Sequence, residues 1–220
     1  MTLSLPAGET RNQMVNAVAS QWSAQDPKAA SEWALKLPAG QAQQEAIASV
    51  ASVWAETDAA AALGFIETLA PGDTRTVAMN SVAVEWAASE PAAAAQWAIG
   101  LRADQAREEI VRAVVQEWAQ ADPNSAGAWL QNIGDEATRE SALSTFVNTV
   151  ATIDPAVAVR WAEVIRDEEL RMTEYENIGS TWLSIDGEAA RAWIEKSPLP
   201  KDVKERLLAH DGPSAPRVRD

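Results

Sequence analysis

The chain has 220 residues, 47% of them apolar, and 18 basic against 32 acidic side chains give a net charge of −14. That charge repels phosphate backbones and anionic lipid within a Debye length of about 8 Å, so neither nucleic acid nor membrane is an expected partner. The apolar fraction is ample for a folded core, and the lack of cysteine excludes disulfides, thiolate metal sites and thiol nucleophiles.

The first residues, MTLSLPAGETRNQ, carry neither the basic start nor the apolar run of a signal peptide, and no window approaches the ~18 uninterrupted apolar residues of a membrane span. With Met1 as the native start, the expected compartment is the cytoplasm. After a lead over 1–4, Leu5 to Gly8 (LPAG) reads as a turn. Met14, Val15, Val18, Ala19 and Trp22 then recur at the spacing of one helix face, which predicts a first helix, A. Asp26-Pro27 predicts the start of a second helix, B. The aspartate can accept hydrogen bonds from free amides of the first turn, and proline at the first helical position needs no donor. Ala29, Ala30 and Trp33 give helix B an inner face, and a second LPAG turn, Leu37 to Gly40, follows.

This frame repeats every 32 residues. Trp22, Trp54, Trp86, Trp118 and Trp182 form one ladder, with Val150 on the remaining rung; Trp33, Trp97, Trp129, Trp161 and Trp193 form a second, with Phe65 on its gap. Asp26, Asp58, Glu90, Asp122, Asp154 and Asp186 keep the same step. Six units follow without insertion: 5–36, 37–68, 69–100, 101–132, 133–164 and 165–196. The sixth drifts, with Gly187 in place of proline and Tyr175 where the first has Val15. Residues 197–211 read as one more A-type helix whose Val203, Leu207 and Leu208 cap the last face, and 212–220 as a loose tail. A lone helix pair cannot bury its apolar stripes, so neighbouring units are expected to stack.

The period, the two helices per unit and the recurrent small alanines resemble tetratricopeptide-like repeats, and the resemblance implies an all-α fold: a right-handed α-solenoid of six antiparallel helix pairs plus a C-terminal capping helix. The motif W-x3-DP-x2-A-x2-W-x3-LP departs from the tetratricopeptide signature, because the proline precedes helix B. It is similar to a Trp-rich helical repeat of uncharacterised bacterial proteins, a resemblance that spans Leu5 to Lys196 and implies no catalytic residues.

Each indole continues an apolar stripe, which points to packing; burying one contributes several kcal/mol at about 25 cal/mol per Å². The indole N–H groups are then expected to find backbone or acidic partners. Arg11, Arg75, Arg107, Arg139 and Arg171, with Gln43 on the second rung, read either as an anion-binding row or as partners of acidic residues in the adjoining turns, such as Glu9, Asp73, Asp135, Glu168 and Glu169. On helix A, off the apolar stripe, lies a row that varies between units: Asn16, Ser20, Ser52, Asn80, Arg112, Gln116, Asn148, Asn177 and Ser180. The tetratricopeptide resemblance implies that this row lines a concave groove, where small polar side chains on a rigid face can hydrogen-bond a peptide. The same small residues could equally serve to let adjacent A helices pack.

Enzyme signatures are missing. The single histidine, His210, lies in the terminal region, and there is no phosphate-cradling glycine loop, nucleophile elbow or zinc-type histidine pair. No cofactor or metal is expected. Formal charge is zero over the first unit and −2 to −4 over each of the next five, so a basic protein segment is the sensible partner. The upstream face of the first helix A lacks a preceding helix pair, which suggests self-association or coverage by upstream sequence. The expected function is a non-catalytic protein- or peptide-binding scaffold that presents a concave acidic and polar helix face. The alternatives are a carbohydrate-binding array using the Trp rings, or a closed α/α-toroid enzyme.

Overall fold

A computed structural model describes residues 9–102 and 105–210. The lead over 1–4, the Leu5 to Gly8 turn, residue 211 and the tail over 212–220 lie outside the described residues, as does the side chain of His210. Among the described residues the fold is all-helical. In chain order the helices are α1 (Glu9–Ser23), α2 (Pro27–Leu35), α3 (Gln41–Glu67), α4 (Asp73–Ser89), α5 (Pro91–Gly100), α6 (Gln105–Ala121), α7 (Pro123–Leu130), α8 (Glu136–Ala151), α9 (Pro155–Ala162), α10 (Glu168–Ile185), α11 (Gly187–Lys196) and α12 (Lys201–His210).

The helix starts are fixed locally. Asp26 stands before α2 with φ/ψ of −150°/85°, and Asp122, Asp154 and Asp186 repeat nearly the same pair (−147°/86°, −144°/90°, −146°/90°) before α7, α9 and α11. In each case the carboxylate accepts an amide of the first turn: Ala29 N–H at 3.0 Å, Asn124 and Ser125 at 3.1 Å, Val157 and Ala189 at 3.1 Å. Glu90, one methylene longer, makes no side-chain cap; it accepts the indole N–H of Trp86 at 3.4 Å instead. In the second unit Ala59 replaces the proline, and the expected separate helices A and B run together as α3. The break survives as the single residue Asp58, at −154°/84°, whose carboxylate still accepts Ala61 N–H at 2.9 Å. The aspartate therefore sets the bend, and proline only interrupts the hydrogen-bond ladder beside it.

The turns into α3 and α4 end on Gly40 and Gly72, 32 residues apart and both at φ 146°. Side chains with a Cβ rarely adopt that conformation, which is why glycine stands there.

Backbone contacts divide the chain into two compact units at Trp118/Ala119, inside α6. In the first, α1 and α2 pack on α3, and α3 on α4. Val15, Ala19, Ala30, Ala46, Val50 and Val82 belong to one shared core. In the second, α8 packs on α9, α10 on α8, α9 and α11, and α12 on α10 and α11. Phe146, Leu130, Ile165, Ile178 and Ile194 are fully buried there. Leu207 of α12 is buried and lies beside Gly179 and Ile194, so α12 covers part of the last helix pair.

The distribution of the indoles differs from the sequence expectation. Small and branched aliphatic residues fill the core, and most indoles are half-buried; Trp118 is 6% exposed and Trp22 37%. The physical reason is the close approach of the helices. Ala30, Ala62, Ala94, Ala126, Ala158 and Ala190 are all at 0% exposure, and crossings lined by alanine leave no room for a ring. The rings instead pair across helices A and B: Trp22 with Trp33 (centroids 5.9 Å), Trp54 with Phe65 (6.0 Å), Trp86 with Trp97 (6.2 Å) and Trp182 with Trp193 (5.8 Å).

Candidate functional site

The variable row of helix A falls on α1, α3, α4, α6, α8 and α10. Asn16, Arg112, Gln116, Asn148, Asn177 and Ser180 are exposed, while Ser20, Ser52 and Asn80 are half-buried. Asn16 and Ser20 on α1, Ser52 on α3 and Asn80 on α4 lie on helices that pack in succession, and Asn148 on α8 and Asn177 and Ser180 on α10 likewise lie on two helices that pack together. Their side chains bond mainly along their own helices. Asn148 Nδ2 donates to Ser144 O at 3.0 Å, Arg112 Nε to Glu108 O at 3.4 Å, and Asn177 Nδ2 to Glu174 Oε2 at 3.4 Å. Each of these exposed groups keeps further hydrogen-bonding capacity for a ligand.

Beside this row the first unit carries an acidic strip that the sequence reading did not single out. Glu56 lies one helical turn beyond Ser52 on α3, Glu85 follows Val84 on α4, and Glu117 follows Gln116 on α6. Burial, and then the neighbouring carboxylates Glu56 and Glu117, push the Glu85 carboxyl above its usual range. Glu56 and Glu117 therefore lie near enough to Glu85 to act on its charge. A signal existed in the sequence, since Glu85 and Glu117 stand one 32-residue step apart.

Of the arginine ladder, Arg139 pairs with Glu136 at 3.3 Å and Glu140 at 3.2 Å. Arg171 donates to Ile165 O at 2.7 Å, in the turn before α10, and Gln43 to Leu35 O at 3.0 Å, the last residue of α2. Arg171 and Gln43 thereby tie the start of a helix A to the end of the preceding helix B or the turn after it. A hollow of about 480 Å³ in the first unit is lined by Arg75, Arg102 and Arg107 with Met79. One of about 470 Å³ in the second unit is lined by Glu168, Glu169 and Glu176 with Met172 and Val203.

Comparison of the chain with protein-family models, curated proteins and solved structures yields no match. Function therefore rests on the geometry of this chain. Among the described residues no group of three or more histidine and carboxylate side chains is placed to hold a metal ion, and no helix is long and apolar enough to cross a membrane.

Proposed function

We propose that the chain is a helical-repeat scaffold, six helix pairs in a right-handed α-solenoid with a capping helix, that binds a basic protein or peptide segment on its A-helix face. The observation that carries this reading is the placement of Glu56, Glu85 and Glu117 on α3, α4 and α6 in the registers beside Ser52, Val84 and Gln116, near enough for Glu56 and Glu117 to act on Glu85. Like charges held together on rigid helices raise the energy of the free face, and a lysine or arginine side chain relieves it. The helices are formed before binding, so the partner alone loses conformational freedom. Packing of the indoles against one another across the first, third and sixth helix pairs favours this reading over a glycan platform, which would need the ring faces free.

The test is a titration of the full chain with fluorescent Lys/Arg-rich peptides and a neutral peptide of equal length. Preference for the basic peptides by about tenfold or more is expected. Glu85→Gln with Glu117→Gln should remove that preference. Asn80 and Arg112 changed together to alanine should abolish capture while leaving thermal unfolding nearly unchanged. Binding that survives both sets of changes sinks the assignment of this face.

A further inference from the structure

The face of α1 formed by Met14, Val18 and Trp22 is exposed, at 48%, 36% and 37%. The 32-residue counterparts of Met14 (residues 46, 78, 110, 142 and 174) are each no more than 2% exposed, and those of Val18 (residues 50, 82, 114, 146 and 178) are all at 0%. For the first of these counterparts the covering element is visible: α1 and α2 pack on α3, and Ser23 Oγ donates to Val50 O at 3.0 Å. The α1 face is thus built to the pattern of a buried one.

Charge indicates what covers it. Asn12 through Gln25 carry no charged side chain, whereas the equivalent stretch of every later A helix carries at least one. In a chain of net charge −14, two copies can approach over this stretch of α1 without like-charge repulsion. We propose that α1 is the interface of a two-fold homodimer, with the α1 helices of two copies crossing antiparallel at Val18. The stripe runs at i, i+4 and i+8, so a two-fold axis through Val18 sets Met14 of one copy against Trp22 of the other, a favourable sulfur–aromatic contact. Gln21 and Gln25, which border the shallow hollow beside Val18 and Trp22, supply a polar rim. A head-to-tail stack would instead require a free downstream face, and α12 already packs on α10 and α11.

The chain has no cysteine, so single-cysteine variants report the contact directly. In sedimentation velocity at about 100 μM, a range that detects small interfaces, the chain should run at twice its 23.6 kDa mass. Val18→Glu should run as a monomer with unchanged helicity. Under mild oxidation Val18→Cys should form a disulfide dimer at least about tenfold faster than Gln131→Cys, an exposed control, because its thiols meet on the axis. A monomeric parent chain, a Val18→Glu dimer of undiminished affinity, or equal cross-linking rates would each overturn the proposal. A Val18→Cys thiol that stays unreactive toward a small alkylating reagent in the monomer would do the same, placing another segment of the same chain on this face.

Discussion

Gly127 of α7 lies beneath the indole of Trp161 of α9, so close that a Cβ at Gly127 would stand 2.2 Å from the ring's Cζ2. Gly127 is mid-helix, where alanine would ordinarily be favoured by about 1 kcal/mol. Steric conflict with a half-buried ring outweighs that, since forcing extra atoms into packed space costs about 1–3 kcal/mol and here the ring or a helix must move. Gly127→Ala should therefore destabilise by about 1–2 kcal/mol net, read from urea unfolding. Combined with Trp161→Leu, the same change should cost much less than the sum of the two singles. Additive losses would mean that the ring does not sit on Gly127.

The capping aspartates give a second prediction. Asp154→Ala should cost about 1 kcal/mol because the Val157 amide loses its acceptor, while Asp154→Asn should be nearly neutral. Chemical denaturation of the three proteins side by side checks the ordering.

Ser144 and Glu174 give a third. The Ser144 hydroxyl on α8 donates to Glu174 on α10, a carboxylate only 2% exposed at a position where three of the other five units have alanine. Glu174→Ala should destabilise by about 1–3 kcal/mol, because the serine is stranded and a void opens. Ser144→Ala in addition should add little, and a double-mutant cycle by thermal unfolding measures that coupling.

Two carboxyls shape the pH profile in opposite directions. Asp122 is held below its usual range, first by the Ser125 hydroxyl and then by backbone amides. Its contribution is present above the unfolded-state value near 3.8 and is lost as pH falls through the lower folded value. Glu85 is raised, so the folded state binds its proton more tightly. Stability on its account falls as pH rises from about 4.5 through the folded value. Glu85→Gln should consequently raise the melting temperature at pH 7, modestly because the group is only partly buried, and not at pH 3.5. Asp122→Asn should flatten the acid limb. For the same reason binding of a basic peptide should weaken as pH falls and Glu85 becomes protonated, which fluorescence titrations carried down through the acid range would show.

The helices were legible in the sequence because the information is local. An Asp-Pro step states where helix B begins whatever lies beyond it, and Gly40 marks a turn by its own backbone freedom. Even where Ala59 removes the proline, Asp58 kept the bend, although a continuous α3 was not foreseen. The depth of the indoles was not legible. An apolar stripe says that a ring faces its neighbour, but only the helix separation, set by alanines such as Ala30 and Ala126, decides whether it enters the core or rests at the edge. The acidic strip escaped for a related reason. Glu56 stands three positions off the register of Glu85 and Glu117, and only the packing of α3 on α4 brings it to bear on Glu85.

Several side-chain bonds that link one helix pair to the next span 26 to 30 residues: Ser23 to Val50, Glu140 to Arg166, Glu136 to Arg166, Ser144 to Glu174 and Glu176 to Arg206. On a ribosome adding about 5–20 residues per second, a new unit emerges every few seconds. Helices and local contacts form in microseconds to milliseconds. Within each compact unit a helix can therefore settle on the one before it, as α3 on α1 and α10 on α8, while the chain is still being made.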